Sequence, residues 1–587
     1  MVQSCEALTF LKDKKSTLNR LVSRVFDVGG GFSNIVPEMI MKHWLMKLWP
    51  HHGDTLMHQD PARIQRLSEQ IWRNTWSPLT FDGNTSAMEW ASLATGPNIR
   101  WEVIGLIAAV AGICAISLKP SDSLLVETGI SGVDFARRMR GVAETCLGFS
   151  RSCEVINDML LWLVCEIGYL IGALEGDNSH AYYQSTGEEI NAVLTMGLHQ
   201  KIEANDKLPF FLAEIRKLIS AAIYGSEIGL AAFLGRPPRL SYRYCSLDMP
   251  LDITEAQLML SKEEINTILK NTIDECGFST SGRLSRFGRL RAQIPIVCRR
   301  EDILDLALGQ HTPEEILHRA KVIQDKTEEQ WSRYPPWVRS VRSEPIDSGT
   351  LKPLDRLHRF YVCQSLRANE LLLQRVLIPK AGASSEKLIQ EARGMFKDVL
   401  HMCQRVDLVS VLAVEMTAVL VILGLRSAAI VAVELLKQEQ LPHPDSTLLP
   451  RSQTIQELSV FAARLGAVDP EEGSFSICDQ GRKVITRILD KILSPPNARD
   501  RSNCDHHFQL GCSQKVGIEQ GHEGAVSSET LQNSSLTPEV PAAAAAAAAT
   551  TGDIYFGFDA QFLGHDKDFM QWLENVDWDR PEPWINF

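Results

Sequence analysis

The stretch FFLAEIRKLISAAIYGSEIGLAAFLGRPPRLSYRYCSLDMPLD, residues 210–252, decides the fold. Phe211, Ile215, Leu218, Ala222 and Ile223 recur at three- and four-residue steps, the period of one helical face. Pro209 precedes them, where a missing N–H removes nothing that a helix start would have bonded. Gly235 follows the last apolar turn, Ala232-Phe233-Leu234, and Pro237 and Pro238 forbid further helix. Polar residues occur only in patches, so most of the circumference is expected to be buried. Behind the helix an extended, proline-bounded segment runs to Asp248, Met249 and Pro250.

Working outward, the same period recurs along most of the chain. A helix is expected over 101–118, behind the Gly96-Pro97-Asn98 turn and with Asn98 as its N-cap. Residues 159–174 are apolar nearly all round, which marks a core helix. Residues 180–199 follow, capped by Ser179, with Tyr182, Tyr183, Ile190 and Leu194 on the apolar face. Further helices are expected over 255–273, 313–334, 354–376, 388–402, 408–436, 455–465 and 484–493. Strand-like alternation never persists. The chain reads as all-α.

Length and composition agree with a large helical core. At 587 residues the chain has room for two to four domains, and 44% hydrophobic with 22% charged residues is ordinary for a globular protein. A formal net charge of −12 argues against non-specific nucleic-acid binding by the bulk of the chain, because neutralising phosphates requires clustered Lys and Arg. Of the 13 cysteines, Cys114, Cys165 and Cys363 sit in apolar helical contexts and read as small buried hydrophobes in a reducing compartment. Residues 103–118 are too short to span a membrane, and 408–436 carry Glu415, Arg426 and Glu434, so both read as buried helices and no membrane is expected.

Three short motifs, in order, resemble the fungal-specific transcription-factor regulatory domain, the middle homology region of fungal zinc-cluster regulators. They are Thr95-Gly96-Pro97-Asn98-Ile99-Arg100-Trp101-Glu102, then Gly197-Leu198-His199, then Phe233-Leu234-Gly235-Arg236-Pro237-Pro238 with Leu247-Asp248-Met249-Pro250. The hallmark positions are therefore Gly197, His199, Gly235, Arg236, Pro237, Pro238, Asp248 and Pro250, in a structural role. Arg236 is expected to be buried beside the helix end, pairing with a carboxylate or capping carbonyls. The resemblance implies a nuclear regulator, with a cytoplasmic pool allowed, that controls a metabolic or secondary-metabolite gene set. It also brings a departure from the family pattern. Members carry six cysteines with C-x2-C pairs that hold two zinc ions, whereas Cys5 is followed by no cysteine until Cys114 and no CxxC occurs. Three readings of that departure stay open, in this order: a regulator without its own DNA-binding module, a truncated sequence, or a DNA-binding element of another kind; on the first, DNA is not contacted directly. The partners implied are the transcription machinery or a DNA-binding partner protein, and a homo- or heterodimer is compatible with the reading.

The chain divides at composition changes. Residues 1–75 form an N-terminal helical segment whose Trp44, Leu45, Leu48 and Trp49 dock on the core, and 76–494 form the all-α regulatory domain. Residues 495–552, rich in Ser, Gln, Gly and Asn and containing the alanine run 542–549, read as a disordered linker. Residues 553–587 are acidic and aromatic, and Phe569, Trp572, Trp578 and Trp584 are candidates for docking a partner or returning to the helical domain.

No catalytic, metal or cofactor site emerges. His51, His52 and His58 read as surface histidines of a polar turn, and Cys504, His506, His507 and Cys512 do not have a zinc spacing. Glu301, Asp302 and Asp305 approach the spacing of a magnesium-binding helix but read as an exposed acidic helix start. The leading expectation is a transcriptional regulator. The alternative is a helical sensor or scaffold outside transcription.

Overall fold

The computed structural model describes residues 2–12, 15–27, 35–119, 122–177, 179–342, 353–405, 413–440 and 448–494. Among these residues the fold is all-α, with no strand and one isolated bridge, Ile273 to Ser279. The 495–552 linker and the 553–587 tail, with Phe569, Trp572, Trp578 and Trp584, lie outside the described residues.

The main core begins near the N-terminus. Leu8, Leu18 and Leu21 share it with Trp101 and Leu212. Trp44, Trp90 and Trp162 meet at its centre, with ring centroids 5.3 to 6.5 Å apart. The helix Trp101–Ser117 packs against Gly132–Ser152 and Asp158–Glu175. It is buried on every side from Trp101 to Ala115, as a helix with no polar face must be.

A second core gathers Phe396, Val431, Phe461 and Ile485 from the C-terminal helices. The long helix Pro353–Ala381 belongs to both cores. Leu357 and Phe360 face the second, while Leu373 and Val376 face the first. Arg286–Leu308 lies along this shared helix and also along Phe210–Leu234. Phe210–Leu234 and Val414–Glu439 are long and apolar enough to cross a membrane, and 72% and 56% of their apolar windows are buried inside the fold.

Several local expectations are corrected. Arg100, not Asn98, is the N-cap of Trp101–Ser117, because Asn98 is taken up in the 3-10 turn Gly96–Asn98. Leu194 is exposed, whereas Ile190 and Val193 of the same helix are buried. The expected 255–273 helix is broken into Glu255–Leu258 and Lys262–Thr272 by Ser261, whose side chain caps the second piece. The helices Gly132–Ser152 and Arg286–Leu308 lack a sequence counterpart in the pattern above; in the latter, Pro295 interrupts the apolar period midway. His51, His52 and His58 lie on the helix Glu38–His58 rather than in a turn, and His52 is buried with Nε2 2.7 Å from the Gly96 carbonyl. Cys114, Cys165 and Cys363 are buried, as their contexts imply.

Candidate functional site

Phe210–Leu234 buries two glutamates and a tyrosine along with its apolar side chains, and these polar groups hold the extended segment that follows. Gly235, at φ +63°, ends the helix in the left-handed region that a side chain disfavours. The chain then turns back along the helix. Glu227 accepts the Arg239 backbone N–H at 2.6 Å and the Arg239 guanidinium, which also donates to the Tyr183 carbonyl at 2.8 Å. Glu214 accepts the Leu251 N–H at 2.8 Å. Glu301 accepts the Tyr224 hydroxyl at 2.8 Å and the Tyr242 N–H at 3.1 Å. Three buried acids thereby fasten a largely extended segment, whose regular structure is limited to the 3-10 turn Tyr242–Tyr244.

Two of the sequence motifs meet here. Gly197, at φ +71°, closes His180–Thr195, and the His199 carbonyl accepts the Ser246 N–H at 2.8 Å. Asp248 Oδ2 accepts the Ile202 N–H at 2.7 Å. Pro250 is buried and its carbonyl takes Arg291 Nη1 at 2.9 Å, while Pro237 is exposed and Pro238 half-buried. Arg236 does not play the expected part. Its backbone N–H donates to Ala231, and its guanidinium lies 4.5 Å from the Tyr183 ring centroid. The arginine that pairs with a buried carboxylate is Arg239, three residues on. Glu301 is likewise corrected: it is buried in the C-terminal half of Arg286–Leu308, not exposed at a helix start.

Beside this clasp, Phe210–Leu234, Arg286–Leu308 and Pro353–Ala381 diverge and leave a cavity of about 270 Å³. Its fourth wall is the π-helical turn Leu420–Leu425. That turn sends Leu420 and Val421 into the second core and Ile422 and Leu423 to the cavity. π-turns recur at functional sites because the extra residue displaces side chains from the regular helical register. Ile422 is 37% exposed, which puts solvent access on this side. The volume is near the lower end of ligand pockets, which run from about 300 to 1,000 Å³.

The lining is mostly apolar, with Leu230, Phe233, Ala368, Leu371 and Val419 among its residues. Arg300 is the notable exception. Its Nε donates to Asn369 Oδ1 at 2.8 Å and its Nη2 to the Ser365 carbonyl at 3.3 Å. Burial, reinforced by the charge of Arg426, pushes its pKa down to about 10. The Gln364 amide donates to Asp398 Oδ2 at 2.7 Å, while its Oε1 is buried with no hydrogen-bond partner. Asp177, pushed up to about 6 by burial, and Tyr182 stand toward an adjoining chamber of about 290 Å³ that also carries Glu415 and Glu472. A largely apolar wall with a few fixed polar groups is the chemistry of small-molecule binding.

No family model, curated protein or solved structure matches the chain. The family resemblance therefore rests on the motifs alone. Sequence reasoning had reached the helix that forms one cavity wall but not Arg300 or Gln364. Neither residue stands out locally, since an arginine that lines a cavity and one on the surface have the same letter.

Proposed function

We propose that the chain is a transcriptional regulator of the fungal zinc-cluster type, acting in the nucleus on a metabolic or secondary-metabolite gene set. The observation that carries this reading is the meeting of separate motifs: the 197–199 triplet is joined to the 246–248 segment through Ser246 and His199. Within these 587 residues no CxxC pair occurs, and in this reading they act through a partner protein that contacts DNA. The helical domain is the regulatory part, and the acidic-aromatic 553–587 segment engages the transcription machinery. No catalytic role is assigned.

The test is chromatin occupancy of the tagged chain, together with a reporter assay of residues 553–587 fused to a heterologous DNA-binding domain. Promoter occupancy and reporter activity are expected. Absence of both overturns the reading in favour of the second one, a helical sensor outside transcription. That second reading is favoured by the cavity, which requires no promoter to operate.

A further inference from the structure

We propose that the cavity between Phe210–Leu234, Arg286–Leu308, Pro353–Ala381 and the Leu420–Leu425 turn binds a small amphipathic acid. Its carboxylate would sit on Arg300, its hydroxyl or N–H on Gln364 Oε1, and its hydrocarbon body against Leu230, Phe233 and Leu423. The proposal deepens the sensor part of the preceding reading and rests on it only for what the binding serves.

The charge argument comes first. Arg300 hydrogen-bonds only to neutral acceptors, Asn369 Oδ1 and the Ser365 carbonyl, and no carboxylate of a described residue is within salt-bridge reach. A part-buried cation without a carboxylate partner is poorly solvated, and Arg426 adds positive potential at the same site. A bound carboxylate would offset both, with the planar guanidinium as its natural counterpart.

The second argument is the unmade hydrogen bond. Gln364 is 1% exposed, and its donation to Asp398 fixes which end of the amide is oxygen. The acceptor left over, Oε1, lacks a partner in a residue that lines the cavity. Arg300 bonds to the carbonyl of Ser365, the next residue in the chain, so cation and acceptor belong to one stretch of wall. A ligand offering an anion and a donor on adjacent atoms satisfies the pair, which describes an α-hydroxy or α-amino acid with an apolar tail.

The experiment uses the full chain and four probes below their micellar concentrations: α-hydroxyoctanoate, octanoate, octanamide and octylamine. Thermal unfolding and titration calorimetry read the binding. α-Hydroxyoctanoate is expected to raise the melting temperature in a concentration-dependent way, and octanamide and octylamine are expected not to. Arg300→Gln should weaken α-hydroxyoctanoate about tenfold or more. Gln364→Leu should remove the preference for α-hydroxyoctanoate over octanoate. Equal stabilisation by the neutral or cationic probe, no binding of the acid, or unchanged affinity in a folded Arg300→Gln protein would each overturn the proposal. Should Arg300→Gln fail to fold, Leu423→Trp, which fills the apolar end, takes its place; acid binding that survives the filling also overturns it. Acid binding with a silent reporter and no occupancy counts against the transcriptional reading alone, and an active reporter without acid binding counts against this inference alone.

Discussion

The Arg239 guanidinium lies 4.2 Å from the Tyr183 ring centroid while its Nε donates to both carboxylate oxygens of Glu227, at 3.2 and 3.1 Å. Arg236 approaches the same ring at 4.5 Å without an ion pair to any described residue. The two arginines share an aromatic contact and differ in what removing each would strand.

That difference makes the first prediction. Arg239→Ala leaves Glu227 charged and buried, and should lower unfolding free energy by about 3–5 kcal/mol. Arg236→Ala loses mainly the ring contact, about 0.5–1 kcal/mol. Denaturant midpoints of the two variants measure the gap; equal losses would show that the Glu227 pair is not what holds the clasp.

A second buried pair joins Arg100 to Glu102. Arg100 Nη1 donates to the carbonyls of Asn74 and Ser77 at 2.6 and 2.7 Å, and Nη2 donates to Thr75 at 2.6 Å, so the arginine terminates the helix Pro61–Trp76. It also pairs with Glu102, which Asn157 bonds at 2.9 Å. Arg100→Met is expected to cost about 3–5 kcal/mol, and the double change with Glu102→Leu to cost clearly less than the sum. A double-mutant cycle with additive losses would contradict this.

Gly197 gives a cleaner backbone test. At φ +71° with nothing within 4 Å of an added Cβ, Gly197→Ala meets strain but no clash. The expected loss is about 1 kcal/mol, with Gly197→Asn milder because Asn tolerates the left-handed region. A loss several times larger in thermal unfolding would mean that the turn is held by something besides its dihedrals.

The pH dependence follows from buried acids and one buried histidine. Burial pushes Glu189 up to about 8 from its ordinary 4.5; Arg239 opposes the shift, while Glu166, Glu188 and Glu227 add to it. The folded state therefore favours the neutral carboxyl. This contribution is complete below pH 4.5 and is lost as pH rises through 8. His358 has the reverse sign. Burial and Arg289 push it down to about 3 from 6.5, so its contribution is complete above pH 6.5 and is lost as pH falls through 3. Melting temperature against pH should fall on both sides, and Glu189→Gln should flatten the alkaline limb without altering the acid one. An unchanged alkaline slope would remove Glu189 from the account.

Much of the fold was legible because it is governed locally. The stop at Gly235, the cap at Ser179 and the all-round apolar run of 159–174 depend on dihedral preference and on neighbours three or four residues away. Where a local signal was contradicted, as by Pro295 inside Arg286–Leu308, the helix went unread. Its proline breaks the period that a sequence shows, yet packing on Pro353–Ala381 and Phe210–Leu234 keeps the element helical.

By itself, then, the sequence determined an all-α chain, a few of its helix ends and the burial of its central helix. Only the tertiary structure decided that Arg239 rather than Arg236 meets a buried carboxylate, that Glu301 is a buried anchor, and that Arg300 and Gln364 line one cavity. The reason is distance along the chain. Glu301 meets Ser241 across 60 residues and Tyr224 across 77. No local preference encodes those partners, and a polar side chain acquires its role only when packing removes water and leaves specific groups within reach.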